Sequence, residues 1–121
     1  MSYVLIAEDD AHIRLLIQRK LETAGYKVRA TPNGAEALQM ALDDPPRIVL
    51  LDVMLPGMNG LDVCHSIKTA LAVKAPPVII ISARGNQTDV NAGEAAGADD
   101  SLIKPFSPHD LLEHAEALLD R

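Results

Sequence analysis

The chain has 121 residues and a formal net charge of −6, and this length predicts a single globular domain. No apolar run approaches the roughly 18 residues of a membrane span, and the amino terminus lacks the basic segment of a signal peptide, so we expect a soluble, cytoplasmic protein. The acidic charge and the presence of only three aromatic side chains argue against direct nucleic-acid binding, and the single cysteine, Cys64, excludes an internal disulfide.

Short apolar runs alternate with longer segments of helical period along the whole chain. This alternation is typical of βαβ units and a parallel sheet. Several of the runs are continuous Val, Ile and Leu, as expected where helices cover both faces of a sheet. The predicted strands are Tyr3–Ala7, Lys27–Ala30, Ile48–Leu51, Val78–Ile81 and Ser101–Ile103.

Capping residues mark the starts of three predicted helices, namely Asp10, Asn33 and Ser107. Glycine and paired prolines mark the ends of others, because proline cannot continue a helix and glycine readily terminates one. The predicted helices are Ile13–Ala24, Asn33–Leu42, a third from about Gly60 through Ile67, Gln87–Ala96, and a last one from Ser107 through Leu119.

The fourth predicted helix has few large apolar residues and carries Gly93 in its interior. An interior glycine costs about 1 kcal/mol of helix stability relative to alanine. Two interpretations are open: the helix is a weakly held, movable element, or Gly93 allows close packing against the sheet.

Polar side chains follow four of the five strands, at the point where each strand ends. Glu8, Asp9 and Asp10 follow the first strand, Asp52 the third, Ser82 the fourth and Lys104 the fifth. The carboxyl ends of parallel strands meet at one edge of the sheet, where open α/β sheets bind ligands. We therefore expect a carboxylate cluster flanked by a hydroxyl and an ammonium group, with Asp10 serving as the cap of the first helix instead.

Several carboxylates in one crevice repel each other and require a cation. Oxygen ligands suit Mg²⁺, or alternatively Mn²⁺, and no Cys/His set for zinc is present. The bound ion would leave positions for phosphate oxygens, which Lys104 and Ser82 could also contact. The pattern predicts cation-assisted phosphoryl chemistry with Asp52 as the nucleophile, because carboxylates form aspartyl-phosphate intermediates.

The chain resembles the receiver domain of two-component response regulators, the CheY-like family. The resemblance spans essentially residues 1–121. It depends on five motifs in order: Glu8-Asp9, Asp52 with Met54 through Gly60, Ser82-Ala83-Arg84, Gly97-Ala98-Asp99-Asp100 and Lys104-Pro105-Phe106. It implies a (βα)5 doubly wound, flavodoxin-like five-stranded parallel sheet of order 2-1-3-4-5.

The resemblance also implies the chemistry and the partners. Asp52 would accept a phosphoryl group from the phosphohistidine of a sensor histidine kinase or a histidine phosphotransfer protein. Glu8, through water, Asp9, Asp52 and the backbone carbonyl of Met54 would hold Mg²⁺, and Ser82 and Lys104 would contact the phosphoryl oxygens. The face of helix 4, strand 5 and helix 5 would then signal to a downstream protein target. The chain would assist its own modification without being an enzyme, and the Lys104–Pro105 peptide bond would be cis.

Two departures from the family pattern concern the signalling face. Ser101 stands where the family usually has an aromatic switch residue, so we expect phosphorylation to be signalled through the loop after Ser82 and the fourth helix. His114 and Glu116 stand where basic residues are common in regulators with DNA-binding domains. This weakens the expectation of their dimer, and the chain is expected to be a monomer or a phosphorylation-dependent dimer.

Three alternatives remain for the whole protein. The leading hypothesis is a stand-alone receiver that signals through protein contacts. The chain could instead be the receiver part of a longer transcriptional regulator or hybrid histidine kinase. A flavodoxin-like cofactor binder would share the fold, because fold does not determine function, but three acidic residues after the first strand would repel a flavin phosphate.

Overall fold

The computed structural model describes residues 2–83 and 87–120. Five parallel strands form one sheet in the order β2-β1-β3-β4-β5, which confirms the predicted topology. The strands are β1 Val4–Ala7, β2 Val28–Thr31, β3 Ile48–Asp52, β4 Val78–Ser82 and β5 Asp100–Ile103, and the helices are α1 Ala11–Thr23, α2 Gly34–Asp43, α3 Gly60–Leu71, α4 Gln87–Ala95 and α5 Pro108–Leu119. A 3₁₀ turn, which the sequence pattern did not predict, follows α3 at Ala72–Lys74.

The sheet has a hydrophobic core on each face. Alternate strand residues such as Leu5, Leu51 and Ile80 pack toward the side of α2 and α3. Their neighbours pack on the opposite side against Ile17 and Leu21 of α1 and residues of α5. Full burial of one Leu or Ile side chain contributes about 1.5–3 kcal/mol, so these two layers hold the sheet rigidly beneath its carboxyl edge.

The predicted caps are present. The Asp10 carboxylate accepts hydrogen bonds from the backbone N–H groups of His12 and Ile13, at 2.9 and 3.0 Å. In the same way, Asn33 accepts a hydrogen bond from the backbone N–H of Glu36, and Ser107 accepts one from the backbone N–H of Asp110, each at 3.0 Å. Asn59 caps α3 in the same manner, which the sequence pattern did not predict. The expected cis bond between Lys104 and Pro105 is also present.

Two single residues complete the description of the helices. Cys64 is buried, and the burial raises the pKa of its thiol to about 11, so it is a protonated structural residue at neutral pH. A methyl group at Gly93 would lie 3.6 Å from Ile80 Cγ1, an ordinary van der Waals contact. Close packing therefore does not require a glycine at position 93, and the interpretation of α4 as a weakly held helix is favoured.

Candidate functional site

The carboxyl edge of the sheet brings three acidic residues together. β1 pairs with β3 such that Ala7 lies beside Leu51, which places Glu8 and Asp52 next to each other on adjacent strands. Glu8 and Asp52 are buried, whereas Asp9 is exposed. One carboxylate oxygen from each of the three residues lies within 4.8 Å of the others, which is compatible with ligation of a single cation.

Lys104 brings a positive charge into this acidic cluster. Its backbone N–H donates to the carbonyl of Ser82 at 2.8 Å, which continues the β4–β5 pairing and holds the lysine at the edge. Its Nζ lies 3.1 Å from Glu8 Oε1 and 3.1 Å from Asp52 Oδ2. Burial alone lowers the pKa of Lys104, but the hydrogen bonds to Glu8 and Asp52 outweigh that effect and raise it, so the side chain remains an ammonium.

Glu8 has the most perturbed carboxyl group of the site. Its side chain is fully buried, and burial together with the nearby Asp52 carboxylate raises its pKa to about 7. Lys104 acts in the opposite direction but does not cancel the cost of burial. A second positive charge near Glu8 would stabilise its ionised form.

Two buried side-chain oxygens lack a hydrogen-bond partner among the described residues, namely Glu8 Oε2 and Ser82 Oγ. Buried polar atoms nearly always have a partner, and an exception requires an explanation such as a bound ion or ligand. Glu8 follows β1 and Ser82 ends β4, the two strands that flank β3 and Asp52. A cation beside Glu8 and an anionic group beside Ser82 would satisfy both atoms, so the residues present fit Mg²⁺ and a phosphoryl group.

The loop after Asp52 closes tightly over the end of β3. The N–H of Gly60 donates to the carbonyl of Val53 at 2.9 Å. A Cβ atom at position 60 would lie only 2.1 Å from the Asp52 carbonyl oxygen, so the close approach requires glycine. The N–H of Met54 lies 3.4 Å from Asp52 Oδ1, and its side chain extends into solvent. The predicted role of the Met54 carbonyl in metal binding stays a prediction.

Arg14 also contacts this edge, and the sequence pattern did not single it out. Its Nη1 donates to the carbonyl oxygens of Glu8 at 2.8 Å and Asp9 at 3.4 Å. The sequence signal that could have found it is a basic residue one helical turn after an acidic triplet, because such a residue can reach back along the helix.

The signalling face contains the residues that depart from the family pattern. Ser101 is half-buried in β5 and pairs in register with Ile80. His114 Nδ1 lies 2.6 Å from Asp100 Oδ2, and Glu116 accepts a hydrogen bond from the Tyr26 hydroxyl at 3.0 Å. The side chains of His114 and Glu116 thus have partners within the chain itself. Arg84 and the rest of the predicted signalling loop, residues 84–86, lie outside the described residues.

Within the described ranges, the helices are all too short or too polar to cross a membrane.

Comparison with solved structures identifies the same fold and a related sequence. A putative response regulator from Chloroflexus aurantiacus superposes with a TM-score of 0.92 at 34% identity, and the match covers 99% of this chain and 98% of that one. The chemotaxis response regulator CheY4 of Vibrio cholerae superposes with a TM-score of 0.89 at 29% identity, and the match covers 98% of both chains. The CheY-like fold is therefore confirmed.

Comparison with curated proteins and family models gives the family. The transcriptional regulatory protein CseB of Streptomyces coelicolor is 43% identical over 120 residues, which is 99% of this chain and 50% of that protein. The chain spans about half the length of the curated relatives it matches. The model of the response regulator receiver domain matches residues 4–116. The chain therefore belongs to the family of response regulator receiver domains, the CheY-like domains of two-component signalling systems.

Proposed function

We propose that the chain accepts a phosphoryl group on Asp52 from the phosphohistidine of a sensor histidine kinase or a histidine phosphotransfer protein, in a reaction that requires Mg²⁺ or Mn²⁺. The observation that carries the proposal is a pair of buried oxygens, Glu8 Oε2 and Ser82 Oγ, for which the described part of the chain supplies no hydrogen-bond partner. They flank an aspartate that already contacts an ammonium group. Metal binding and phosphoryl binding would supply the missing partners.

Each side chain has a role that its position supports. Glu8, Asp9 and Asp52 would hold the metal ion, with the Met54 carbonyl as a further ligand. When bound, the ion neutralises charge on the phosphoryl oxygens and on the acidic cluster. An Asp52 oxygen attacks phosphorus, the P–N bond to the donor imidazole breaks, and the departing nitrogen keeps the electron pair of that bond. The imidazole then picks up a proton from solvent.

Lys104 and Ser82 would bind the transferred group. An ammonium group has three donors, and Glu8 and Asp52 engage two of those on Lys104. The third donor is available to a phosphoryl oxygen. The Ser82 hydroxyl can donate to another oxygen, which would satisfy its buried Oγ. Charge-assisted hydrogen bonds of this kind are about twice as strong as neutral ones.

Phosphoryl uptake can be measured directly by intact-mass spectrometry. The wild-type chain incubated with Mg²⁺ and a small donor such as acetyl phosphate should gain the mass of one phosphoryl group. The adduct should be absent when Mg²⁺ is chelated, and it should be lost at alkaline pH, since acyl phosphates are labile there. A chain that gains no mass with Mg²⁺ present would refute the proposal.

We also propose that α4 carries the signal, because Ser101 cannot act as an aromatic reporter. Two contacts fix the carboxyl end of α4. The Ala98 N–H donates to the Gly93 carbonyl at 2.9 Å, and Lys68 Nζ of α3 lies 2.7 Å from Oδ2 of Asp99, which follows the helix. The amino-terminal end of α4 follows the segment after Ser82. Phosphorylation at Asp52 is therefore expected to change mainly the amino-terminal half of the helix.

Amide hydrogen exchange across residues 84–98 tests this role of α4. Protection should differ between the free and the phosphorylated chain, and Gly93→Ala should reduce the difference, because alanine adds about 1 kcal/mol of helix stability and has room beside Ile80. Ala95→Gly, at an exposed position of the same helix, is the matched variant and should lower protection. Equal protection in both states of the wild type would contradict the proposal.

The similarity to CseB favours a second proposal about the whole protein. CseB is named a transcriptional regulatory protein and is about twice the length of this chain. The chain would then be the receiver part of a longer regulator, and its signalling face would act on a DNA-binding domain rather than on a separate protein target. The length of the polypeptide encoded by the complete reading frame tests this, and a stop codon directly after Arg121 would favour the stand-alone receiver.

A further inference from the structure

We propose that Arg14 is a positioning residue of the metal site, which holds the loop between β1 and α1 so that the Glu8 and Asp9 carboxylates converge with Asp52. The inference depends on the proposed function, because it assigns a role toward the metal ion that the acidic cluster would bind. Arg14 acts on this site through the backbone, because its guanidinium donates to the carbonyl groups of Glu8 and Asp9 rather than to their carboxylates.

One residue binds three consecutive carbonyl groups of this loop. The backbone N–H of Arg14 donates to the Asp10 carbonyl at 2.9 Å, which is the first hydrogen bond of α1. Its guanidinium reaches back and donates to the carbonyls of Glu8 at 2.8 Å and Asp9 at 3.4 Å. The loop between Ala7, the last residue of β1, and Ala11, the first of α1, is thus bound along its whole length.

The Glu8 carbonyl is the important contact, because it belongs to the rigid peptide plane that joins Glu8 to Asp9. Rotation of this plane would change ψ of Glu8 and φ of Asp9 and would swing the two carboxylates apart. On the other side, the N–H of Glu8 donates to the Thr31 carbonyl at 3.1 Å. β2 and Arg14 therefore hold Glu8 from both ends, and the arginine fixes the plane on which the convergence of the carboxylates depends.

The charge of Arg14 and its contacts to the loop predict opposite effects of its removal on metal binding. A guanidinium close to the acidic cluster repels a divalent cation, so its removal would tighten metal binding if charge were all that mattered. If Arg14 acts by holding the loop, its removal weakens metal binding in spite of the lost repulsion. The sign of the change therefore distinguishes the two roles.

The experiment is a titration of the metal-free protein with Mn²⁺, in which electron paramagnetic resonance measures free ion, followed by competition with Mg²⁺. Arg14→Met should weaken binding about tenfold, the lower end of the effect of removing groups that orient metal ligands. Arg14→Lys keeps the charge but loses the planar guanidinium, and it should recover part of the affinity. Arg19→Met removes the same charge from an exposed position of α1 and should leave the affinity unchanged or slightly higher.

Three outcomes overturn the inference. Wild-type affinity or tighter binding in Arg14→Met shows that the residue acts only through its charge, and leaves the proposed function intact. Full wild-type affinity in Arg14→Lys shows that the two carbonyl contacts of the guanidinium are not what positions the metal ligands. Absence of metal binding by the wild type refutes the proposed metal site and this inference with it. Thermal unfolding of the metal-free variants checks that they fold. If Arg14→Met does not fold, the affinity of Arg14→Lys relative to the wild type tests the inference instead.

Discussion

Asp52→Asn should take up no phosphoryl group under conditions that modify the wild type completely. The amide nitrogen and oxygen of asparagine are poor nucleophiles toward phosphorus, whereas the ionised carboxylate has two suitable oxygens. The replacement is nearly isosteric, and asparagine can still accept from Lys104 Nζ, which lies 3.1 Å from Asp52 Oδ2 in the wild type. Loss of the adduct would therefore reflect the chemistry of the acceptor rather than loss of the fold.

The same variant should also bind Mg²⁺ at least about tenfold more weakly. Two unit charges 4 Å apart interact by about 4 kcal/mol at an effective dielectric constant of 20, so loss of one carboxylate charge removes a large attraction. Isothermal titration measures this change. Partial compensation is expected, because Lys104 no longer divides its charge between two carboxylates and Glu8 loses the repulsion of Asp52.

A matched control for this variant is Asp43→Asn on α2. Asp43 is exposed and accepts a hydrogen bond from Gln39 at 2.7 Å, which the asparagine oxygen can retain. This control should gain the phosphoryl mass and bind Mg²⁺ as the wild type does. If Asp52→Asn gained the adduct to the same extent as Asp43→Asn, another residue would be the acceptor and the assignment of Asp52 would be wrong.

Stability of the metal-free protein should fall as the pH rises from 5 to 8, and Mg²⁺ should remove most of the fall. The cause is Glu8, because burial and the nearby Asp52 carboxylate raise its pKa on folding from its usual value of 4.5 to about 7. Between these pH values the folded state binds more protons than the unfolded state. The stabilisation that Glu8 contributes is therefore fully present below about pH 4.5 and is lost as the pH rises through about 7. Urea unfolding measures the change.

The expected size of this change is about 2 kcal/mol. One pKa unit corresponds to about 1.4 kcal/mol, and the site is open to solvent at Asp9, which reduces the full value by screening. The raised pKa of Lys104 keeps that group charged across the whole range, so it does not contribute. The lowered pKa of Asp10 affects stability only at pH values below this range.

Glu8→Gln distinguishes the contribution of Glu8 to this pH dependence from the contributions of other titrating groups. The variant cannot ionise, so the metal-free protein should show little change in stability between pH 5 and 8 and should exceed the wild type at pH 8. It should also bind Mg²⁺ more weakly, since one charged ligand is lost. Glu22→Gln changes an exposed residue of α1 and should preserve the wild-type pH dependence. An equal fall in stability in Glu8→Gln would assign the titration to another group.

Much of the fold followed from local patterns in the sequence. The apolar runs predicted β1, β3 and β4 to within about one residue, because parallel strands covered on both faces must be apolar along their length. The edge strands β2 and β5 are only partly buried, and the alternation of strands and helices placed them equally closely. Asp10, Asn33 and Ser107 were recognised as caps because capping is local and needs one side chain near one turn. The exceptions were also local: Asn59 was missed as a cap, and the 3₁₀ turn at Ala72–Lys74 has no sequence signal as clear as a capping residue.

The composition of the candidate site was also predictable, since the ends of parallel strands meet at one edge. Glu8, Asp9, Asp52, Ser82 and Lys104 were identified as the residues at those ends, and the structure brings them to one edge. The family confirms the kind of domain, and the individual roles of these residues remain proposals.

By itself, the sequence determined the kinds of side chain at the carboxyl edge, the alternation of strands and helices, and the absence of an aromatic reporter at Ser101. Only the tertiary structure decided how these groups meet. Lys104 lies equally close to Glu8 and Asp52, and Arg14 holds the carbonyls that orient the acidic loop. Such contacts depend on the order of the strands and on where long side chains come to lie, which no local pattern specifies. In the sequence, Asp52 is an acid at the end of a strand. In the fold, its carboxylate contacts Lys104, and the strands on either side carry Glu8 and Ser82, whose buried oxygens have no hydrogen-bond partner among residues 2–83 and 87–120.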